Sequence, residues 1–263
     1  MAASAPVVIS VFVMNSLRLV MCFMISTIIV KITYLLQMKN VVITGAAGNL
    51  GTAVVEKFLN EKWNVIAIAD PKANHKLKEP VKTYTADLSN EPDVNQVVAR
   101  IIADNKTIDA ALLLVGGFAM GNIDETDGAA LRQMMSLNFE TAYFTARPVF
   151  QQMVKQGGGR IVLVASKTAL ISEAGKNTIG YSLSKFLLTK LAELLNAEGA
   201  SKNVVCSVVA PSTIDTETNR KAMPKADFSK WVKPADIAET MFFAVSDHGN
   251  VLRDPIFKVY GGA

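Results

Sequence analysis

The chain has 263 residues, of which 50% are hydrophobic and 19% are charged, so it can bury a large core and is not a disordered chain. Its net charge is +4 without a basic stripe, which excludes the electrostatic surface of a nucleic-acid-binding protein. Two cysteines exclude a disulfide framework, and two histidines without partners at ligand spacing leave no histidine-based metal site. We therefore expect a small-molecule substrate and chemistry from ordinary side chains or an organic cofactor.

Residues 1–37 differ in composition from the rest of the chain. The stretch 7–36 is almost wholly apolar, and Arg18 and Lys31 are its only charged residues. A membrane-spanning helix needs about 20 apolar residues, and the two charges divide the stretch into shorter runs.

Three interpretations of this extension stay open. Met38 is the natural start, or residues 7–36 are a membrane anchor, or the extension is a cleaved signal. The first predicts a cytoplasmic protein, and the second predicts a protein tethered to a membrane. In each case we divide the chain into an extension, 1–37, and one domain, 38–263.

After the extension, short apolar runs alternate with helical segments. The predicted strands are Val41–Ile43, Val65–Ala69, Val81–Ala86, Ala110–Val115, Ile161–Val164, Val204–Val209 and Ile256–Val259. The predicted helices are Thr52–Asn60, Pro92–Asp104, a long helix through Met134 and Phe144, Gly180–Asn196 and Pro234–Val245. Continuous Val/Ile/Leu strands separated by helices indicate a parallel sheet covered on both faces. The sequence predicts an α/β fold with a doubly wound, Rossmann-type sheet in a single domain.

A glycine-rich turn follows the first predicted strand. Gly45, Gly48 and Gly51 are three residues apart, with Asn49 and Leu50 between the last two. Small residues let a backbone approach a pyrophosphate, and the next helix presents free N–H groups. The spacing differs from G-x-G-x-x-G, so a structural loop is the alternative.

Asp70 ends the second predicted strand, 25 residues after Gly45. A carboxylate there can accept hydrogen bonds from the adenosine ribose hydroxyls and would repel a 2′-phosphate. The sequence therefore favours NAD(H), with NADP(H) as the second choice. A solvated carboxylate in the loop before Pro71 is the alternative.

The predicted helix Gly180–Asn196 carries Tyr181 and Lys185 four positions apart, on one helical face. An ammonium near a phenol stabilises the phenolate and would lower the tyrosine pKa from about 10 toward neutrality. Such a tyrosine can act as a general acid or base. A half-exposed ring beside a solvated charge is the alternative for the pair alone.

Taken in order on alternating strands and helices, these residues resemble the short-chain dehydrogenases/reductases over 38–263. The matching features are Thr44–Gly45 with Gly48 and Gly51, Asp70, Asp87–Leu88, Gly116–Gly117, Asn138, Ser166, Tyr181-x-x-x-Lys185 and Pro211–Thr216. Two departures are Leu113–Val115, where the family has Asn-Asn-Ala, and Ser212, where a glycine usually follows the proline.

The resemblance implies four catalytic residues. Tyr181 would be the acid/base, and Lys185 would lower its pKa and bind the nicotinamide ribose. Ser166 would hold the substrate oxygen, and Asn138 would position a water in the proton relay.

The resemblance also implies the cofactor contacts and a homo-oligomer, either a dimer or a tetramer. Asp87 and Leu88 would flank the adenine, and Thr216 would contact the nicotinamide carboxamide. The full predicted set is Gly45, Gly48, Asn49, Leu50, Gly51, Asp70, Asp87, Leu88, Gly116, Gly117, Lys185, Pro211 and Thr216.

A narrower resemblance to dihydropteridine reductases lies in the loop Asn219–Trp231 and in the segment from Asp109 through Phe118. Independently of it, Met223, Phe228 and Trp231 make this loop a candidate lid over an apolar ring.

The sequence thus predicts an NAD(H)-dependent oxidoreductase acting on a carbonyl or secondary alcohol. Reduction of a quinonoid dihydropterin is the first alternative. A sugar-nucleotide epimerase or dehydratase would fit the glycine spacing. Against it, the chain lacks the extra C-terminal substrate domain that such enzymes carry. A non-catalytic NAD-sensing protein is the last alternative.

Overall fold

The structure, a computed structural model, describes residues 20, 21, 24, 38–72, 77 and 79–262. The chain divides into two compact units, Met1–Met38 and Lys39–Ala263, and the fold given below is that of the second. The interpretations of the apolar extension fall almost wholly outside the described residues. Within the described part, no helix is both long and apolar enough to cross a membrane.

Seven parallel strands form one sheet in the described part of the second unit. The strands are β1 Asn40–Thr44, β2 Asn64–Ala69, β3 Lys82–Thr85, β4 Ala110–Leu113, β5 Gly159–Val164, β6 Val204–Pro211 and β7 Ile256–Val259. Their order is β3-β2-β1-β4-β5-β6-β7, and all neighbouring pairs are parallel. The predicted doubly wound α/β fold is confirmed.

The helices between the strands cover both faces of the sheet. They are α1 Asn49–Asn60, α2 Glu91–Asn105, α3 Gly128–Met135, α4 Thr141–Gln156, α5 Lys167–Leu170, α6 Ser172–Gly175, α7 Ile179–Gly199, α8 Glu217–Ala222 and α9 Pro234–Val245. The short helices α5, α6 and α8 lie in segments for which the sequence predicts no helix.

Two of the helices begin after a residue whose side chain caps the helix N-terminus. Asn90 precedes α2 and its side chain accepts a hydrogen bond from Asp93 N, with a proline in the first turn. Asp127 precedes α3 and accepts from the backbone N–H of Ala129 and Ala130. These caps satisfy donors that an isolated helix end would leave free.

The core lies on the two faces of the sheet, because successive side chains of a strand point to opposite sides. On β1, Val42 belongs to the cluster that includes α2, α4 and α7, and Ile43 belongs to the cluster under α1 and α9. Both side chains are fully buried. This burial explains why the predicted strands are nearly continuous apolar runs.

The fourth strand is shorter than predicted, ending at Leu113 and not at Val115. The hydroxyl of Thr44 accepts from Leu114 N at 3.0 Å and from Val115 N at 3.5 Å. These two amides therefore bond to a side chain and leave the strand ladder. The same hydroxyl joins the ends of β1 and β4 at a point where the family's asparagines are absent.

The predicted long helix through Met134 and Phe144 is interrupted. A π-helical turn, Ser136–Glu140, separates α3 from α4. Such turns are frequent at functional sites, because they redirect one side chain out of helical register. Here the turn carries Asn138, which is fully buried.

Candidate active site

The site lies where the strand order reverses. In the sheet, β1 neighbours both β2 and β4, so the turns after β1 and β4 leave in different directions. Ligands bind to open α/β sheets in the crevice at such a point, beyond the carboxyl ends of the strands.

The glycine turn after β1 is packed too tightly for side chains. Gly45 has φ +67°, and a Cβ on Gly51 would lie 2.1 Å from the Gly45 carbonyl oxygen. Gly48 is the N-cap of α1 and is exposed. Asn49, Leu50 and Gly51, predicted to belong to the turn, form the first turn of this helix, which begins three residues earlier than predicted.

Among the described residues, no side chain caps the first turn of α1. Its free N–H groups and the positive end of the helix dipole are therefore available to an anionic group. Together with the close approach at Gly51, this is a cradle that fits a dinucleotide pyrophosphate.

The two glycines after β4 are also required by close neighbours. A Cβ on Gly116 would lie 2.6 Å from Asn138 Oδ1 and 2.8 Å from Lys185 Nζ. A Cβ on Gly117 would lie 2.4 Å from Leu137 Cδ2. The structure thus brings together the loop after β4, the π-helical turn and α7, as the predicted site requires.

Asn138 connects these elements. Its Oδ1 accepts a hydrogen bond from Gly117 N at 2.9 Å, and its Nδ2 donates to Ser184 Oγ at 3.0 Å. Each end of the amide therefore makes a hydrogen bond inside the protein, and these bonds fix the orientation of the side chain.

Lys185 is buried on α7 and its Nζ donates to the carbonyl oxygen of Val164 at 2.9 Å, at the end of β5. Burial lowers the pKa of the ammonium to about 8, because desolvation disfavours the charged form. The ammonium is therefore fixed, in a buried position, at the carboxyl end of β5.

The structure corrects the predicted pKa of Tyr181. Burial of the phenol raises its pKa, and the neighbouring Ser166 hydroxyl opposes this rise. The spacing argument expected the Lys185 ammonium to lower the pKa, but that ammonium is held at the Val164 carbonyl. Desolvation is therefore the largest effect on the phenol, and the pKa of Tyr181 lies above its ordinary value.

Ser166 lies two residues after the end of β5 and is the N-cap of α5. Its Oγ accepts from Ala169 N at 3.2 Å and lies 2.8 Å from Thr168 Oγ1. The residue is buried, and its hydroxyl is held beside the Tyr181 phenol. Two hydroxyl groups thus meet at the carboxyl end of the sheet.

An aromatic side chain borders the Tyr181 phenol. Phe118, in the loop after β4, packs edge-on against Tyr181 with ring centroids 5.0 Å apart. Phe118 is itself 60% exposed, so it presents an apolar face to whatever enters the site.

The predicted adenine side of the site is more exposed than expected. Asp70 follows the end of β2 and is exposed, whereas a strong repulsion of a 2′-phosphate would need a buried carboxylate. Its Oδ1 accepts a hydrogen bond from Lys72 N at 2.7 Å. Asp87 is also exposed, and its carboxylate accepts two hydrogen bonds from Ser89, which lower its pKa. Leu88 is buried in the core.

The segment after β6 reaches across the site. Pro211 ends β6, and Thr216 caps α8 by accepting from Asn219 N at 3.1 Å. On α8, which leads into the candidate lid, Thr218 Oγ1 accepts from Asn49 Nδ2 at 3.2 Å, so α8 contacts the first turn of α1.

The rest of the lid is held by its own side chains. Arg220 pairs with Asp215 at 2.6 and 2.8 Å and lies 4.7 Å over the ring of Phe228. Phe228 in turn packs on Trp231, with centroids 4.7 Å apart. The candidate lid is therefore a folded segment with an aromatic pair.

Sequence reasoning did not single out Thr44, Ser184 or Thr218 as site residues. Ser184 stands three residues after Tyr181, and a hydroxyl at that spacing on a catalytic helix was the available signal. The bonds of Thr44 and Thr218 join residues 70 and 169 positions apart, so the family match at Thr44–Gly45 did not show what the Thr44 hydroxyl bonds to, and no local pattern pointed to Thr218. Within the described residues there is no cluster of His, Cys, Asp and Glu that could hold a metal ion.

This fold and this site together define a Rossmann-type, nicotinamide-dinucleotide-binding oxidoreductase. A sequence profile of the short chain dehydrogenases matches residues 39–227, and the chain belongs to that family. Dihydropteridine reductase of Dictyostelium discoideum is 28% identical over 210 residues, which cover 78% of this chain and 86% of the relative.

Other relatives have different activities. The 2,3-dihydro-2,3-dihydroxybenzoate dehydrogenase of Escherichia coli (strain K12) is 28% identical over 243 residues, covering 86% of this chain and 96% of that protein. Among solved structures, ElxO with NADP bound has a TM-score of 0.78 at 24% identity, covering 86% of this chain and 98% of its own. The structural similarity establishes the fold alone.

Proposed function

We propose that this protein is an NAD(H)-dependent oxidoreductase that interconverts a carbonyl and a secondary alcohol, with Tyr181 as the acid/base. The observation that carries the proposal is the Tyr181 phenol beside the Ser166 hydroxyl, with Lys185 held behind them. An NAD-sensing protein would have no need of this arrangement, because binding alone requires no proton donor.

The residues present fit a nicotinamide dinucleotide. Gly45, Gly48 and Gly51 would admit the pyrophosphate to the N-terminus of α1, and Lys185 would hold the nicotinamide ribose. Pro211 and Thr216 would border the nicotinamide. When bound, the cofactor supplies or accepts the hydride.

In the reducing direction, Tyr181 donates its proton to the substrate oxygen while Ser166 holds the same oxygen. The raised pKa keeps the phenol protonated for this step. With its Nζ fixed at the Val164 carbonyl oxygen, Lys185 has a pKa of about 8 and is mostly charged at neutral pH, so its role here would be to hold the nicotinamide ribose.

Asp70 supports NAD(H) over NADP(H). Its exposed carboxylate ends β2, next to the glycine turn after β1 in the sheet. There it can accept hydrogen bonds from the ribose hydroxyls and oppose a 2′-phosphate. NADP(H) stays the second choice, since a screened, exposed charge discriminates only weakly.

We also propose that the protein is a homo-oligomer, a dimer or a tetramer. Exposed apolar side chains on α4 and α7 support this: Tyr143, Leu183, Phe186 and Leu194 are 40%, 47%, 50% and 59% exposed. Leu183 and Phe186 are three residues apart on α7 and are neighbours on its surface, and an exposed apolar patch marks an interaction face. Light scattering on the purified protein tests it, and a monomer at all concentrations would contradict it.

A second candidate function is reduction of a quinonoid dihydropterin. The aromatic pair Phe228–Trp231 in the lid and the exposed Phe118 beside Tyr181 favour it, because flat rings stack on such faces. The similarity to dihydropteridine reductase also supports this candidate. Proton transfer to a ring nitrogen would not require Ser166 to hold a carbonyl oxygen.

Side-by-side NADH oxidation rates for a ketone and aldehyde panel and for quinonoid dihydropterin test both candidates. For carbonyl substrates we expect Ser166→Ala to lower the rate about 10²-fold, as the loss of one oxyanion donor does. A preference for the pterin that is insensitive to Ser166→Ala would establish the second candidate over the first.

A further inference from the structure

We propose that Ser184 is a positioning residue, which aligns Asn138 and the loop after β4 with the backbone of Tyr181. The inference rests on the role of Tyr181 in the proposed function. It concerns a residue between the tyrosine and the lysine that has no assigned part in the reaction.

The first step is the fixed orientation of the Asn138 amide. The side chain is fully buried, and its Oδ1 accepts from the backbone N–H of Gly117 at 2.9 Å. Since a backbone N–H can only donate, the amide oxygen must face Gly117. The Nδ2 group then faces Ser184 Oγ at 3.0 Å, with the sulfur of Met134 as a weak second acceptor at 3.7 Å.

The second step is the hydroxyl of Ser184. It is fully buried and donates to the carbonyl oxygen of Tyr181 at 2.7 Å while accepting from Asn138. Both capacities of the hydroxyl are thus used in opposite directions. An unbroken chain of three hydrogen bonds runs from Gly117 through Asn138 and Ser184 to Tyr181.

The third step is what this chain positions. The neighbour of Gly117 is Gly116, whose Cα faces both Asn138 Oδ1 and Lys185 Nζ so closely that a Cβ would clash with each. A displacement of this loop would therefore shift the ammonium as well as the tyrosine backbone. Catalytic geometry is sensitive to displacements on the order of 1 Å.

A purely structural role for the hydroxyl has a matched example on the same helix. Thr189 is buried and its Oγ1 donates to the Phe186 carbonyl oxygen at 2.6 Å, three residues back, as Ser184 does to Tyr181. Within the described residues Thr189 makes no further side-chain hydrogen bond. The bond to Asn138 is what distinguishes Ser184, and Thr189→Val is the matched control.

The kinetic test compares Ser184→Ala and Thr189→Val, each in the wild-type and in the Asn138→Ala background. We expect Ser184→Ala to lower kcat about 10-fold with the KM for NADH nearly unchanged, and Thr189→Val to stay near wild type. In the Asn138→Ala background, Ser184→Ala should lower kcat less than about twofold, because the residue acts through Asn138.

Amide hydrogen exchange of Gly117, followed by NMR, is a readout that needs no turnover. Ser184→Ala should accelerate this exchange about 10-fold or more and Thr189→Val should not, because only the first releases the Asn138 amide. Unchanged exchange in Ser184→Ala overturns the inference whatever the rates are.

The kinetic outcomes separate the two proposals. Faster exchange with unchanged kcat, or equal losses of kcat in both backgrounds, also overturns the positioning role. If the wild type reduces neither carbonyls nor the pterin, the proposed function fails, and the exchange measurement alone decides whether Ser184 holds Asn138.

Discussion

At the residue scale, Tyr181 is where two effects act in opposite directions on one phenol. Burial raises its pKa and the Ser166 hydroxyl opposes that rise. We expect Tyr181→Phe to leave NADH binding near wild type and to lower kcat at least about 10²-fold, the lower range for one positioned general acid. The control is Tyr84→Phe, which removes the hydroxyl of a β3 tyrosine that donates to Asp104 on α2. Full activity of Tyr181→Phe would remove the proposed mechanism.

Lys185 makes the stability of the protein depend on pH. Its pKa in the folded protein is about 8, below the ordinary 10.5, because the ammonium is desolvated. Between these values the unfolded chain binds more protons than the folded one, so the free energy of unfolding rises with pH. The destabilisation due to Lys185 is full below pH 8 and is relieved as the pH approaches 10.5.

We expect Lys185→Met to abolish the part of the rise in the free energy of unfolding with pH that is due to Lys185. The stability of the wild type relative to the variant should increase by about 2 kcal/mol from pH 7 to pH 9.5. Urea unfolding at both pH values measures the difference. Lys190→Met, which removes an exposed ammonium beside Glu193 on the same helix, should leave the pH dependence as in wild type. A constant difference for Lys185→Met would contradict the buried ammonium.

Asp70 is expected to set the cofactor preference, though less strongly than a buried carboxylate would. Because it is exposed, its repulsion of a 2′-phosphate is on the order of 1 kcal/mol, or about fivefold. Asp70→Asn keeps an oxygen for the Lys72 amide and should narrow the NADH preference by that factor. The ratio of kcat/KM values for the two cofactors measures it, and a wild type that prefers NADPH would show that Asp70 does not hold the ribose.

At the scale of elements, the β1–α1 turn depends on its closest approach. A Cβ on Gly51 would lie 2.1 Å from the Gly45 carbonyl oxygen, whereas one on Gly48 would lie 3.2 Å from the same oxygen. We expect Gly51→Ala to cost about 1–3 kcal/mol and to weaken NADH binding, because helix and turn must separate. Gly48→Ala should cost less. Urea unfolding and NADH fluorescence measure both variants, and equal effects would contradict the packing argument.

The lid is the element in which local sequence and tertiary contacts combine. The sequence of Asn219–Trp231 mixes charged residues with large apolar ones. In the structure, Arg220 pairs with Asp215, and the rings of Phe228 and Trp231 pack together. The contact between Asn49 and Thr218 then links this element to the glycine turn. α8 is therefore joined to the first turn of α1 by a side-chain hydrogen bond.

At the scale of the whole molecule, the unit from Lys39 to Ala263 contains every described strand and every predicted site residue. We expect a chain that begins at Met38 to fold, to stay in solution and to keep its turnover. Circular dichroism, NADH binding and kcat compared with the full chain measure this. Aggregation or loss of cofactor binding in the shorter chain would contradict the interpretation of Met38 as the start.

Much of this molecule follows from the sequence by itself. The parallel sheet follows from continuous apolar strands such as Val41–Ile43, because a strand buried on both faces needs apolar side chains at every position. The glycine turn and the Tyr181/Lys185 spacing are equally local, since each places its groups through the geometry of one turn or one helix. For the same reason the family resemblance is visible without coordinates.

Only the tertiary structure decided the direction of the Tyr181 pKa, the early end of β4 and the bond between Asn138 and Ser184. Spacing on a helix reports which side chains share a face, but not whether burial outweighs a neighbouring charge. Asn138 and Ser184 are 46 positions apart, and Thr44 and Leu114 are 70 apart. Such contacts exist only once the sheet has assembled, because each depends on where two separate elements come to lie.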